Sequence, residues 1–271
     1  GDLRSKIDVL LYGNVDLELA EQIEGLPKRW SPMPFKKTPQ TPSFGTPAES
    51  DDITGGIGYE GLSQIQHFIE NGGLMVTLGS GTMLALDGGL VRFVRRASGG
   101  VPRSAAGGGG ASSAASQTSE TRTPGAHVRV TFDQPDSPIA YGYPAHTCVF
   151  RQNFPLYNIP RRWLRMAYCT TCLDGPEDRS GVVMEWGDTD GKPFVVSGQA
   201  WGEENLIGRP AILDMPVGKG HVVSFNFNPM HRDMNRGDQR MLWNAILNWQ
   251  AILAKKPRPS STSMPAPEPD E

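Results

Sequence analysis

Among the residues able to do chemistry, His67 and Glu70 stand three apart in His67-Phe68-Ile69-Glu70. That His-x-x-Glu spacing can give a zinc ion two ligands, but a third would have to come from elsewhere. No second histidine is placed to join the pair, and both fall on the polar side of a helical pattern opposite Leu62, Ile65 and Ile69. A solvated helix face is therefore expected there, with no metal and no cofactor. Cys169-Thr170-Thr171-Cys172, taken with His146 and Cys148, has the composition of a closed four-ligand zinc site. The plainer alternative is a disulfide between Cys169 and Cys172 in an oxidising compartment, because three cysteines allow one bridge and leave a thiol over. Glu203-Glu204 could serve as an acid/base pair, although adjacent glutamates are usually a solvated turn. Trp30, Trp163 and Trp201, with Arg161, Arg162 and Arg165, are the residue types that anchor protein contacts. Core filling with surface charge is the other reading of the same set.

The elements that would position these groups follow from apolar periodicity. The stretch from Ala211 to Trp249 organises the rest. Val217-Gly218-Lys219-Gly220 is a turn between two strand-like runs, which predicts a β-hairpin. Val223, Phe225 and Phe227 alternate with Ser224 and Asn226, giving one apolar and one polar face. Asn228-Pro229 stops that strand. Met241, Leu242, Ala245, Ile246, Trp249, Ile252 and Leu253 then recur at helical spacing and need a sheet to cover.

Earlier in the chain, residues 6–12 predict a short buried strand. Residues 54–78 predict a helix capped by Thr54, ended through Asn71-Gly72-Gly73 and followed by a strand over Leu74 to Leu78. Helix-then-strand is the repeating unit of a parallel sheet. Residues 90–96 predict a short helix. Further strands are expected at 127–132, 147–151, 164–168, 182–186 and 193–197, separated by Gly, Pro and Asp.

Residues 27–52 hold six prolines, too long for an ordinary connection, and read as a surface excursion or partner-binding loop. Residues 98–125 are rich in Gly, Ala and Ser, and residues 254–271 in Pro, Ser and charge. Neither stretch has the apolar content to order itself. A single α/β domain over 1–253 is expected, followed by an extended or disordered tail.

Composition narrows the function. The chain has 271 residues, an apolar share of 38%, 32 Gly, 23 Pro and a net charge of −3. A sizeable core is possible, with much of the chain in loops. The absence of a basic run argues against nucleic acid. No apolar run reaches the roughly 18 residues of a membrane-spanning helix, leaving at most peripheral association. The chain opens on Gly1-Asp2, so the lack of a leader at that point is uninformative.

Three stretches together carry a resemblance: GDLRSKIDVLLYG, GGIGYEGLSQIQHFIENGGLMVTLG, and SGQAWGEENLIGRPAILDMPVGKGHVVSFNFNPMHR. They resemble the C-terminal domain of secreted bacterial zinc-carboxypeptidase-like proteins, which looks like a class I glutamine-amidotransferase. The resemblance implies a flavodoxin-like open, mostly parallel sheet with helices on both faces and a late hairpin. The peptidase domain is absent from the stretch matched, so carboxypeptidase activity does not carry over. Such folds place a nucleophile elbow after a strand, where Leu78-Gly79-Ser80-Gly81 lies, and a His-x-Glu pair after a late strand, where His231-Arg232-Asp233 lies. A Ser80, His231, Asp233 triad is thus conceivable. These enzymes carry cysteine rather than serine at the elbow, and no complete Gly-x-Ser-x-Gly is present.

Lacking an intact motif, the chain is expected to be a non-catalytic accessory subunit. It would bind protein partners within a larger extracytoplasmic or membrane-associated complex. A Ser80/His231 hydrolase and a small-molecule or sugar-binding module are the alternatives.

Overall fold

The computed structural model describes residues 2–46, 48–92, 94–97, 121–158, 179–187 and 190–255. In chain order the elements are β1 (Val9–Tyr12), α1 (Leu19–Glu24), α2 (Gly58–Glu70), β2 (Leu74–Leu78), α3 (Thr82–Leu86), β3 (Arg95–Arg96) and β4 (Arg122–Phe132). There follow β5 (His146–Arg151), β6 (Tyr157–Asn158), β7 (Val182–Trp186), β8 (Val195–Trp201), β9 (Pro210–Val217), β10 (Gly220–Phe225), α4 (Arg236–Leu247) and α5 (Trp249–Leu253).

The main sheet runs β1-β2-β10-β9-β7-β4-β5, and β8 shares with β7 the other edge of β4. β1, β2 and β10 are parallel, and the pairings beyond β10 are antiparallel. This is the α/β class expected from the sequence, a mixed open sheet with its late hairpin at β9–β10. Every residue of β2 and β10 is buried, because helices cover both faces of the parallel part. Leu74, Val76, Leu78, Val223 and Phe225 join one core with Met241, Leu242 and Ala245 of α4 and Ile252 of α5. The intervening Met75 and Val222 join a second core with Ile23 of α1, Ile65, Phe68 and Ile69 of α2, and Leu84 of α3. Alternate side chains of one strand thus feed opposite cores. Burying a side chain such as Phe68 contributes roughly 2–3 kcal/mol.

Four local expectations are corrected. Ser224 and Asn226 do not form a wetted face. Ser224 is buried and its Oγ accepts from Thr77 Oγ1 at 3.0 Å, while Asn226 Nδ2 donates to the Pro210 carbonyl at 2.8 Å. Thr54 does not cap α2, whose N-cap is Ile57; its N–H and Oγ1 both donate to Asp52 Oδ1 at 3.0 and 2.7 Å. Arg95 and Arg96 are not helical but pair with Asn158 and Tyr157. The closing helix breaks at Asn248, whose Nδ2 donates back to the Asn244 carbonyl at 2.9 Å. In addition, β4 starts at Arg122, so residues 122–125 belong to a strand rather than to the low-complexity stretch. The strand expected at 164–168 lies outside the described residues.

Candidate functional site

Parallel strands put their carboxyl ends side by side, and the crevice outside those ends is where α/β sheets bind ligands. Here β1 ends in Gly13-Asn14-Val15-Asp16, β2 in Gly79-Ser80-Gly81, and β10 in Asn226-Phe227-Asn228. The three exits converge closely. The Gly79 N–H donates to the Phe227 carbonyl at 3.0 Å. Gly79 has φ +55, and a Cβ there would lie 2.4 Å from Asn14 Oδ1. A Cβ on Gly81 would lie 2.2 Å from the Gly13 carbonyl oxygen. Only glycine lets β2 turn into α3 against the end of β1.

Ser80 sits in that turn, 2% exposed. Its hydroxyl reaches two acceptors, the Val15 carbonyl and Asn14 Oδ1 at 3.0 Å. Asn14 Oδ1 also accepts from the Ser80 N–H at 3.0 Å, so the end of β1 holds both the main chain and the hydroxyl of Ser80. His231 and Asn14 line one cleft of about 440 Å³ with Asp16, Gln152, Asn153 and Phe154. His231 is stacked on Phe150, ring centroids 5.0 Å apart and 21° between planes. Asp233 is exposed and its Oδ1 accepts from Gln239 Nε2 at 2.7 Å, toward α4. Among the described contacts, none joins Ser80 to His231 or His231 to Asp233. Arg232 and Asp233 both hold left-handed backbone, φ 52 and 54, a conformation costing a non-glycine residue roughly 1–2 kcal/mol. Two such residues beside a cleft mark a loop held in place by its surroundings. The arrangement offers hydrogen-bonding amides, a carboxylate and an imidazole to a polar ligand.

Behind His231 lies a layer able to make its setting pH-dependent. Phe150 packs between His231 and His127, and its N–H donates to Asp238 Oδ2 at 2.9 Å. Asp238 is buried. Burial pushes its carboxyl up to about 6 from an ordinary 3.8, against the Phe150 N–H and the nearby His127, which pull it down. The folded chain therefore holds a proton that the unfolded chain has released between about pH 4 and pH 6. This contribution to stability is complete below pH 4 and is lost as pH rises through about 6. Asp238→Asn is expected to flatten the stability profile over that window. At pH 7 it should raise stability by on the order of 2 kcal/mol, read from urea midpoints at pH 4, 5, 6 and 7.

The other residues singled out from sequence are dispersed. His67 is exposed on α2, and Glu70 Oε1 accepts from Gln66 Nε2 at 2.8 Å, as a solvated helix face would. His146 Nδ1 lies 3.1 Å from Thr131 Oγ1, and Cys148 is an exposed free thiol. Among the described residues, no group of three His, Cys, Asp or Glu is placed to hold a metal ion. Glu203 and Glu204 are exposed in a single 3₁₀ turn. Trp30 and Trp201 are about half exposed, each beneath a guanidinium, Arg29 at 5.3 Å and Arg122 at 5.9 Å. Arg161, Arg162, Trp163, Arg165, Cys169 and Cys172 lie outside the described residues. Among those described, no helix is long and apolar enough to cross a membrane.

Two groups escaped the sequence reading. Arg151, at the end of β5, is fully buried and donates from its two terminal nitrogens to the carbonyls of Asn226 and Phe154, both at 2.8 Å. His221 and Asp214 form a buried pair across the β9–β10 hairpin, Nδ1 to Oδ1 at 2.6 Å. The hairpin turn held the signal for this pair: with Val217 facing Gly220, His221 faces Pro216 and Asp214 falls diagonally on the same side.

No protein-family model matches the chain, and no curated protein matches it in sequence. Solved structures show distant similarity. Cytoplasmic protein STM3548 from Salmonella typhimurium is 10% identical at TM-score 0.39, covering 91% of this chain and 73% of its own. A ThuA-like protein from Bacteroides uniformis is 12% identical at TM-score 0.35, covering 74% and 66%. A β-galactosidase from Bacillus circulans sp. alkalophilus is 10% identical at TM-score 0.36, covering 73% of this chain and 21% of its own.

Proposed function

We propose that this chain is a non-catalytic accessory domain that docks protein partners. It would work within a larger complex on the extracytoplasmic side of the cell. The carrying observation is the arm over residues 27–53, which is pinned internally yet turns apolar side chains outward. Phe35 and Ser50 exchange main-chain hydrogen bonds at 2.9 and 3.1 Å, and the Ile53 N–H donates to the Met33 carbonyl at 2.9 Å. The Asp52 carboxylate accepts from Ser31 Oγ and from the N–H groups of Met33 and Thr54. These bonds hold it well below the usual carboxylate range. Trp30, Met33, Phe44 and Ile53 nevertheless remain 37–54% exposed. A segment already ordered loses little entropy on binding, and exposed Trp, Phe and Met are the types that anchor an interface.

Purification of the native chain tests this. Partner proteins are expected in fixed ratio. The double variant Trp30→Ala, Phe44→Ala should lose them at least tenfold with an unchanged unfolding midpoint. A lone, monodisperse chain whose arm is readily cut by protease would overturn the reading. A second reading, a polar or sugar-binding module, is favoured by the amides of Asn14, Gln152 and Asn153 in the crevice. For the hydrolase alternative, Ser80→Ala and His231→Ala are each expected to leave partner recovery unchanged, and ester turnover abolished by both would revive it.

A further inference from the structure

A second opening lies at the opposite end of the parallel strands from the crevice. It is a cleft of about 960 Å³ beside the β9–β10 hairpin. His221 stands in its wall, 8% exposed, with Nδ1 fixed on Asp214, itself 6% exposed. Among the described residues, Nε2 of His221 has no hydrogen-bond partner. An imidazole anchored through one nitrogen on a buried carboxylate presents the other in a set direction.

The charged groups facing the cleft come from every element around it. They are Glu70 at the end of α2, Arg92 beyond α3, Asp214 on β9, Lys219 in the turn and Lys255 beyond α5. Asp214 is matched by His221, Glu70 accepts from Gln66, and Lys255 donates to Gln134 Oε1. Arg92 and Lys219 enter no ion pair among the described residues, which leaves the opening with an excess of positive charge. Lys219, in the turn that leads into β10, and His221, near its start, both line the cleft. Leu90, Val91, Met215 and Leu253 supply an apolar wall.

We propose that this cleft binds a small organic carboxylate with an apolar body. The ligand carboxylate accepts a hydrogen bond from Nε2 of His221, with Lys219 at the rim, and its body lies on Leu90, Val91, Met215 and Leu253.

Calorimetric titration of the full chain with hexanoate, 1-hexanol and inorganic phosphate tests the site. Hexanoate is expected to bind saturably at one site, with hexanol and phosphate at least tenfold weaker. The imidazole ¹⁵N resonances of His221 should shift as hexanoate is added, and those of His67 should not. His221→Gln should weaken hexanoate at least tenfold. Should that buried variant fail to fold, Lys219→Glu in the exposed turn should still weaken binding severalfold. Absence of saturable hexanoate binding, phosphate binding as tightly, or affinity unmoved in the folded variants would overturn the proposal.

Discussion

Gly81→Ala is expected to destabilise the fold by about 3 kcal/mol or more, although most glycine-to-alanine changes at ordinary backbone angles do the reverse. Gly81 has φ −62 and ψ −18, which alanine adopts freely. Entropy of the unfolded chain alone would therefore favour the substitution by about 0.4–1 kcal/mol. Space decides against it. The new Cβ would lie 2.2 Å from the Gly13 carbonyl and 3.0 Å from the Tyr12 ring. The first neighbour is main chain at the exit of β1 and cannot step aside without moving the strand, and overpacking against backbone exceeds the entropic gain. Gly237→Ala is the control. It lies in the first turn of α4 with nothing within 4 Å of its Cβ position, and should stabilise by roughly 0.5–1 kcal/mol. Paired urea unfolding curves check both signs, and equal shifts would refute the account of the β1–β2 junction.

Arg151→Ala is expected to lower stability by roughly 3–5 kcal/mol. The side chain is 1% exposed, lies over Trp186 with 4.7 Å from Cζ to the ring centroid, and satisfies two main-chain carbonyls. Truncation leaves a cavity the size of a long side chain and two buried acceptors without donors. An opposing term exists. No described carboxylate pairs with this guanidinium, and burial lowers its pKa to about 9, so its removal also relieves the desolvation of a cation. Two lost hydrogen bonds, a lost ring contact and a void outweigh that relief. Arg151→Met, which keeps the volume but not the donors, should fall between the two. A loss below 1 kcal/mol for Arg151→Ala would show that burying the charge costs as much as its contacts contribute.

What the sequence disclosed and what it hid divide along one physical line. Leu74 to Leu78 is apolar but for Thr77 and does not alternate, and such a run announces a strand covered on both faces. Gly218-Lys219 between two strand-like runs set the register of the hairpin. Ile65 and Ile69 announced the inner face of α2. Each of these signals is local. Thr77 with Ser224, Arg151 with Asn226, and Asp238 with the Phe150 amide join residues 147, 75 and 88 apart, and no spacing rule reaches that far. For that reason Ser224 and Asn226 read as a wetted face when they are buried and bonded. The Asn248 break carried no proline or glycine to betray it, only an amide competing for the Asn244 carbonyl. Of the candidate site, the position of the elbow was legible from β2 and the glycines after it. Its occupancy by Asn14, contributed by the end of β1, was not.

The position of β10 in the sheet bears on how the chain becomes a protein. Made after every other described strand, it lies between β2 and β9, with His221 opposite Leu74. Until residue 225 has left the ribosome, β1–β2 and the antiparallel wing have no strand in common, and one edge of β2 and one edge of β9 stay open. Closure of so wide a loop is slow by its topology, and open strand edges invite pairing with other chains. The nascent chain therefore passes its most aggregation-prone interval just before synthesis of the hairpin is complete.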